Sequence, residues 1–279
     1  MKTPRWFTSL LAATALVCLT LPACTESSLG GGQLILSGSS TVAPLMTTIA
    51  ERYQSEHPDV VIHIQTGGSN QGVADVRAGE NDIGMISRSL KPDESDLTVF
   101  TIAQDGISIL LNQSAAVDRL ERQQIIDIFT GKIQNWRAVG GDDMPIQVLS
   151  KSTNHSTVGL FADYFGLAPE DIQQDHLVGD NAEILEIVLD NPAAIGYISI
   201  GAAEYKIIHG MPLKLLPLEG VEATVQEVSS GHFPLSRPLN LVTQEAPKGL
   251  AKDFIKYAQS AVVEDIVEEQ AFVKPIALK

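Results

Sequence analysis

From Gln33 onward, short apolar runs alternate with stretches whose apolar residues recur every three or four positions. Leu34-Ile35-Leu36 reads as a buried strand. After Gly38-Ser39-Ser40, residues Val42, Leu45, Met46, Ile49 and Tyr53 fall on one helical face. Residues 60–64 are rich in β-branched side chains and read as a second strand. Gly67-Gly68-Ser69-Asn70 is a turn, Val73, Val76 and Arg77 begin a second helix, and 82–86 is a third strand. This β–α–β–α–β order predicts an α/β domain with a largely parallel sheet. Farther along, the pattern predicts strands at 106–111, 147–149, 194–198 and 239–242, and helices at 120–129, 158–165 and 184–189. A closing helix carries Phe254, Ile255, Ala258, Val262 and Ile266. Whether this makes one doubly wound sheet or two smaller lobes is open from periodicity alone.

Composition narrows the class. The 279 residues are 44% apolar and 19% charged, a globular balance that excludes a disordered or fibrous chain. Asp and Glu number 34 against 19 Lys and Arg, a formal charge of −15. Nucleic acid and anionic membrane surfaces need clustered cations, so neither is an expected partner. A small anion is not excluded, because backbone N–H groups and one or two cations suffice to hold it.

The N-terminus reads as an address. Lys2 and Arg5 precede an apolar stretch at 7–21, short for a membrane span and right for a signal-peptide core. It ends in Leu21-Pro22-Ala23-Cys24, which resembles a bacterial lipoprotein box with Cys24 as the lipidated residue; an ordinary signal peptide with an incidental cysteine is the alternative. The expectation is a leader at 1–23, a glycine-rich tether at 24–32 and a folded body at 33–279, exported and anchored to a bacterial membrane. Cys18 and Cys24 are the only cysteines, so the body has no thiol zinc site or disulfide framework.

Polar turns carry the candidate chemistry. Gly38-Ser39-Ser40-Thr41, Gly68-Ser69-Asn70-Gln71-Gly72 and Asn154-His155-Ser156-Thr157 each follow an apolar strand and open a helix. Helix N-termini offer unpaired N–H groups and partial positive charge, and Ser and Thr add hydroxyl donors. Several such turns converging at the carboxyl ends of strands would form an anion site. Ordinary N-capping is the competing explanation for each. The nearby cations are Arg88 and Lys151. No Gly-x-Ser-x-Gly elbow, HExxH or Walker loop occurs, no His pair has metal-ligand spacing, and no enzyme, metal or cofactor is expected.

Taken in order, these stretches resemble the substrate-binding family of phosphate ABC transporters, the PstS-like periplasmic binding proteins. The resemblance rests on Ser37–Leu45, Thr66–Val73, Asp82–Leu90, Ile128–Trp136 followed by Val139-Gly140-Gly141, Ala194–Tyr197 and Phe233–Leu239. It implies an α/β, two-lobed, type II-like fold with a ligand cleft between lobe one (33–108 and 238–279) and lobe two (109–237). It implies a monomer that captures inorganic phosphate or a related oxyanion and passes it to ABC permease subunits. The alternative is a sensing or scavenging paralogue with another oxyanion and no transport partner. The implied phosphate-binding positions are Ser40, Thr41, Val42, Ser69, Arg88, Lys151, His155, Ser156 and Thr157. The family pattern at the fourth loop is Arg, three residues, then Ser-Gly-Thr. Here Lys151, His155 and Ser156 replace the first three of those residues and only Thr157 is kept. Arg88 falls where family members place either an aspartate or an arginine; the aspartate accepts a proton from phosphate, and an arginine offers no acceptor.

Overall fold

The computed structural model describes residues 31–275, so the leader, Cys24 and most of the expected tether lie outside the described residues. The first apolar run forms β1 (Gln33–Gly38), and its neighbours follow the predicted order: α1 (Val42–Glu56), β2 (Val61–Thr66), α2 (Ser69–Ala78) and β3 (Ile83–Ile86). Helix α1 buries Val42, Leu45, Met46, Ile49 and Tyr53, the face marked by their spacing. A short 3-10 turn at Pro92–Glu94 leads to β4 (Thr98–Asn112).

Strand β4 is more than twice as long as its apolar pattern indicates. Only its second half is a continuous buried run; its first half is partly exposed and escapes the hydrophobic signal. Next come α3 (Arg122–Phe129), β5 (Gln147–Lys151), α4 (Ser156–Phe165), β6 (His176–Val178), α5 (Asn181–Asp190), β7 (Ala194–Ser199), α6 (Ile200–Ile208), β8 (Leu213–Leu215) and α7 (Val225–Ser229). The chain returns through β9 (Ser236–Thr243) and ends with α8 (Gly249–Ala258) and α9 (Glu264–Glu269). The expected single closing helix is interrupted, because Ser260 adopts an extended backbone between α8 and a 3-10 turn.

The strand order is β2-β1-β3-β9-β4-β7-β5-β6, with β8 also on β4. The sheet is mixed rather than largely parallel. Strand β1 is parallel to β2 and β3, and β5 is parallel to β6 and β7, but β9 and β4 run antiparallel to their neighbours. These two strands link the halves, pairing from Thr98↔Thr243 to Gly106↔Ser236. Buried apolar side chains divide on either side of that link. Leu36, Met46, Ile83, Leu241 and Phe254 belong to one core. Ile109, Phe129, Phe161, Tyr197 and Leu235 belong to another, in which the Phe161 and Tyr197 rings stack with centroids 4.2 Å apart. Val273 packs with this second core, although it follows α9 in the chain. The carboxyl ends of β1, β2, β3 and β5 meet where β4 and β9 link the halves, and that convergence positions the site.

Candidate anion-binding cleft

Three turns and the residue after β3 place hydroxyls around one narrow gap. Its lining includes Ser39, Ser40 and Thr41 before α1, Gly68 and Ser69 at the start of α2, Ser87 after β3, and His155, Ser156 and Thr157 at the start of α4. The hydroxyls are buried and bonded to one another. Ser39 Oγ donates to Ser87 Oγ at 2.9 Å, Ser69 Oγ to Ser156 Oγ at 3.2 Å, and the Ser87 and Ser156 hydroxyls lie 2.8 Å apart.

Side-chain capping explains Ser39 but not the other hydroxyls. The N-cap positions of α1, α2 and α4 are Thr41, Gly68 and His155, and none makes a side-chain cap hydrogen bond. By contrast, Asp180, Ser199 and Thr224 cap α5, α6 and α7 through their side chains. At α1 the Ser39 hydroxyl accepts the Thr41 and Val42 N–H groups at 3.2 and 3.4 Å, so Val42 enters the site only through its backbone. The N-cap side chains of α3, α8 and α9 make no such bond either, so what distinguishes α1, α2 and α4 is that all three begin at the gap.

Arg237 organises the gap. It lies opposite Asp105 in the β4–β9 register, and both are almost wholly buried. Asp105 Oδ2 accepts Arg237 Nη2 at 2.8 Å and Nε at 3.1 Å, while Oδ1 accepts the Gly201 N–H at 3.1 Å. Held this way, the guanidinium fans outward. Nη2 donates to Thr41 Oγ1 at 3.1 Å, and Nη1 donates to Ser87 Oγ and Thr157 Oγ1, each at 3.2 Å. Thr41 Oγ1 also accepts Asn181 Nδ2 at 3.2 Å. Both lone pairs of that hydroxyl are then engaged, leaving its proton to donate. Arg237 therefore sets hydroxyls from both halves as donors.

Lys151 stands one step back. Its Nζ donates to Asn181 Oδ1, and Asn181 in turn reaches Thr41. Burial, reinforced by the Arg237 charge, pushes the Lys151 ammonium down to about 7. His155 is also pushed down, first by burial and then by Lys151, so it is neutral at neutral pH and adds no formal charge.

Of the expected residues, Ser40, Thr41, Ser69, His155, Ser156 and Thr157 line the gap. Arg88 is not among the residues lining the gap; it lines the neighbouring groove and is paired with Glu94. Its Nη1 and Nη2 donate to the Glu94 carboxylate at 2.6 and 2.8 Å, and Nη2 also reaches Asn70 Oδ1 at 3.0 Å. The chain bends at Ser87 and Arg88, just past β3; the Ser87 hydroxyl lies at the gap while the Arg88 guanidinium is held by Glu94. Burial alone would raise the Glu94 carboxyl, but bonds from Arg88 and the Lys91 N–H hold it below its ordinary value. Ser39, Ser87, Asp105, Asn181 and Arg237 were missed. Asp105 is the one charged residue of β4 and Arg237 the one charged residue of β9, which is the signal for the buried pair, since buried charges need partners.

The two halves also touch directly beside the gap. The Asn70 N–H donates to the Asn154 carbonyl at 3.1 Å, and Asn70 Nδ2 donates to the Thr153 carbonyl at 2.9 Å. Gly68 has φ +91°, and a Cβ there would sit 2.5 Å from the Asn154 carbonyl oxygen. Glycine is therefore required for this approach.

A periplasmic-binding-protein (PBP) superfamily domain model matches residues 24–262. Phosphate-binding protein PstS of Staphylococcus aureus (strain bovine RF122 / ET3-1) is 30% identical over 95% of this chain and 86% of its own length. The PstS protein of Bacillus subtilis (strain 168) is 29% identical over 89% of this chain and 82% of its own. A Clostridium perfringens structure, described as a phosphate ABC transporter substrate-binding protein with bound phosphate, superposes with a TM-score of 0.81. It is 32% identical and covers 88% of this chain and 100% of that one. The chain belongs to the periplasmic-binding-protein superfamily and, within it, to the PstS-like substrate-binding proteins.

Proposed function

We propose that this protein captures inorganic phosphate in the hydroxyl gap and delivers it to the membrane subunits of an ABC importer. The observation that carries the reading is the Arg237 fan. One buried, carboxylate-braced guanidinium aims Thr41, Ser87 and Thr157 at a gap fed by three helix N-termini. Neutral donors and helix dipoles supply most of the attraction, and the formal charge of Arg237 is offset by Asp105. An entering anion would replace the hydroxyl–hydroxyl bonds across the gap with charge-assisted ones, which are stronger. The PstS relatives and the phosphate-bound structure from Clostridium perfringens support phosphate as the anion.

Because gap residues come from both halves of the molecule, the halves act as two lobes that close on the ligand. Lobe one comprises about 33–108 and 238–279, and lobe two about 109–237. The leader at 1–23 and lipid attachment at Cys24 place the mature protein outside the cytoplasmic membrane. Cys24→Ser is expected to move it from the membrane fraction to the soluble fraction. Equilibrium dialysis against radiolabelled phosphate tests the ligand, after unfolding and refolding to strip carried-over anion. Saturable binding supports the reading, and no binding by well-folded protein defeats it. Stimulation of the importer's ATPase by loaded protein would separate transport from mere sensing.

A further inference from the structure

Beside the gap lies a groove of about 580 Å³, within the range of small-molecule sites. His155 and Ser156 line both cavities, and Arg237, which aims the gap's hydroxyls, also lines the groove. The groove walls mix apolar Leu90, Val158 and Leu160 with polar Asn70 and Lys91. Free phosphate would occupy the gap alone and leave this space unused.

Two observations indicate that the space is kept for a ligand. The first is Gly159, inside α4 and on the groove wall. Glycine is the poorest helix former after proline. The other helical glycines have reasons of their own: a Cβ on Gly72 would meet the Ser37 carbonyl oxygen at 2.7 Å, one on Gly201 the Ala271 carbonyl oxygen at 2.6 Å, and Gly249, the first residue of α8, has φ +51°. A Cβ on Gly159 would meet nothing within 4 Å, and its φ is not in the left-handed region. Neither packing nor backbone conformation calls for glycine there; what its absent side chain preserves is the groove. The second observation is Arg88. It lines the groove, it is only 5% exposed, and its Nε has no hydrogen-bond partner among the described residues. Arg88 and Lys91 also converge on Asn70 Oδ1, at 3.0 and 3.2 Å, which places two cations on one wall.

We propose that the cleft accepts a substituted phosphoryl group as well as the free anion. The ligand is a small phosphate monoester or phosphonate, with its anionic head in the hydroxyl gap and its substituent in the groove. The proposal rests on the reading of the gap as a phosphate site. The cationic wall suits a substituent with hydroxyl or other acceptor oxygens, and the apolar wall suits its carbon skeleton.

Competition against radiolabelled phosphate tests this, with glycerol 3-phosphate and methylphosphonate as probes on the full chain. Both probes are expected to displace phosphate from the wild type. Gly159→Phe fills the groove from α4, and Ser89→Phe fills it from the opposite wall, where Ser89 is exposed. In each variant, glycerol 3-phosphate is expected to bind at least about tenfold more weakly, while phosphate stays within about threefold of wild type. Phosphate binding thereby reports that the variants fold. Failure of both probes to displace phosphate at about a thousandfold excess overturns the proposal and leaves the phosphate reading intact. Variants that weaken ester and phosphate equally, or neither, also overturn it. A wild type that binds no phosphate defeats the underlying reading itself.

Discussion

Arg88 and Arg237 are both buried arginines bonded to a buried carboxylate, yet only Arg237 bonds to hydroxyls of the gap. Arg237 shares its carboxylate with a backbone N–H and spends its remaining donors on hydroxyls from both halves. Arg88 gives both terminal nitrogens to Glu94 and its remaining bonds to Asn70 Oδ1 and the Ser89 carbonyl. Motif order pointed to Arg88 because it sits beside a polar turn. The bend after β3 and the pairing with Glu94, not sequence position, decide where the Arg88 guanidinium goes. The hydroxyls were legible because Ser and Thr cluster at strand ends before helices. Arg237 was hidden because its partner is 132 positions away.

Lys151 gives this scale a pH dependence. An unfolded lysine titrates near 10.5, whereas here burial lowers the value to about 7. Between those values the unfolded chain binds more protons, so this group makes anion-free stability rise as pH increases across that window. Lys151→Met is expected to flatten that rise in denaturant midpoints measured from pH 7 to 10. A bound anion favours the charged form, opposed locally by Arg237 and assisted by Asp105 and Asp180. Phosphate binding at pH 8 is therefore expected to take up as much as about one proton in the wild type and less in Lys151→Met. Calorimetry in two buffers of different ionisation heat reads the difference; equal uptake in both proteins would contradict the role given to Lys151.

At the level of elements, α1, α2 and α4 begin at the cleft without an N-cap side-chain bond; α5, α6 and α7 have one, and α3, α8 and α9 do not. The sequence shows the same residue types at both sets of termini, so capping and anion binding look alike until the side chains are placed. Gly68 is the element-level pivot, because its left-handed φ and its contact with Asn154 let α2 reach the loop before α4. Gly68→Ala is expected to weaken phosphate binding by about tenfold or more, since the closed form becomes strained. Small-angle scattering should show the wild type contracting on phosphate addition and the variant contracting less. Full contraction with unchanged affinity would show that this close approach is dispensable.

For the whole molecule, alternating apolar runs were enough to indicate an α/β fold and its first five elements in order. They did not reveal the mixed sheet. Strand β4 is half exposed along its first segment, and short elements such as β6, β8 and α7 carry too few residues for a periodic signal. The strands that join the halves also carry the Asp105–Arg237 pair, so the ligand site and the link between halves share one place. A ligand bound there engages both halves and stabilises the whole. At about a thousandfold excess over Kd, phosphate is expected to add about 4 kcal/mol, raising Tm by roughly 8–16 °C. Thermal scans with and without phosphate check this.

The central claim is that Arg237, and not Arg88, holds the gap in its anion-binding form. The most direct measurement is a calorimetric phosphate titration of wild type, Arg237→Lys and Arg88→Lys, each stripped of carried-over anion. Both substitutions keep a positive charge beside the buried carboxylate, and both lose the planar fork. Arg237→Lys is expected to weaken binding by about a hundredfold, and Arg88→Lys to stay within about threefold of wild type. Equal affinities for Arg237→Lys and wild type, or a larger loss in Arg88→Lys, would contradict this assignment of the site.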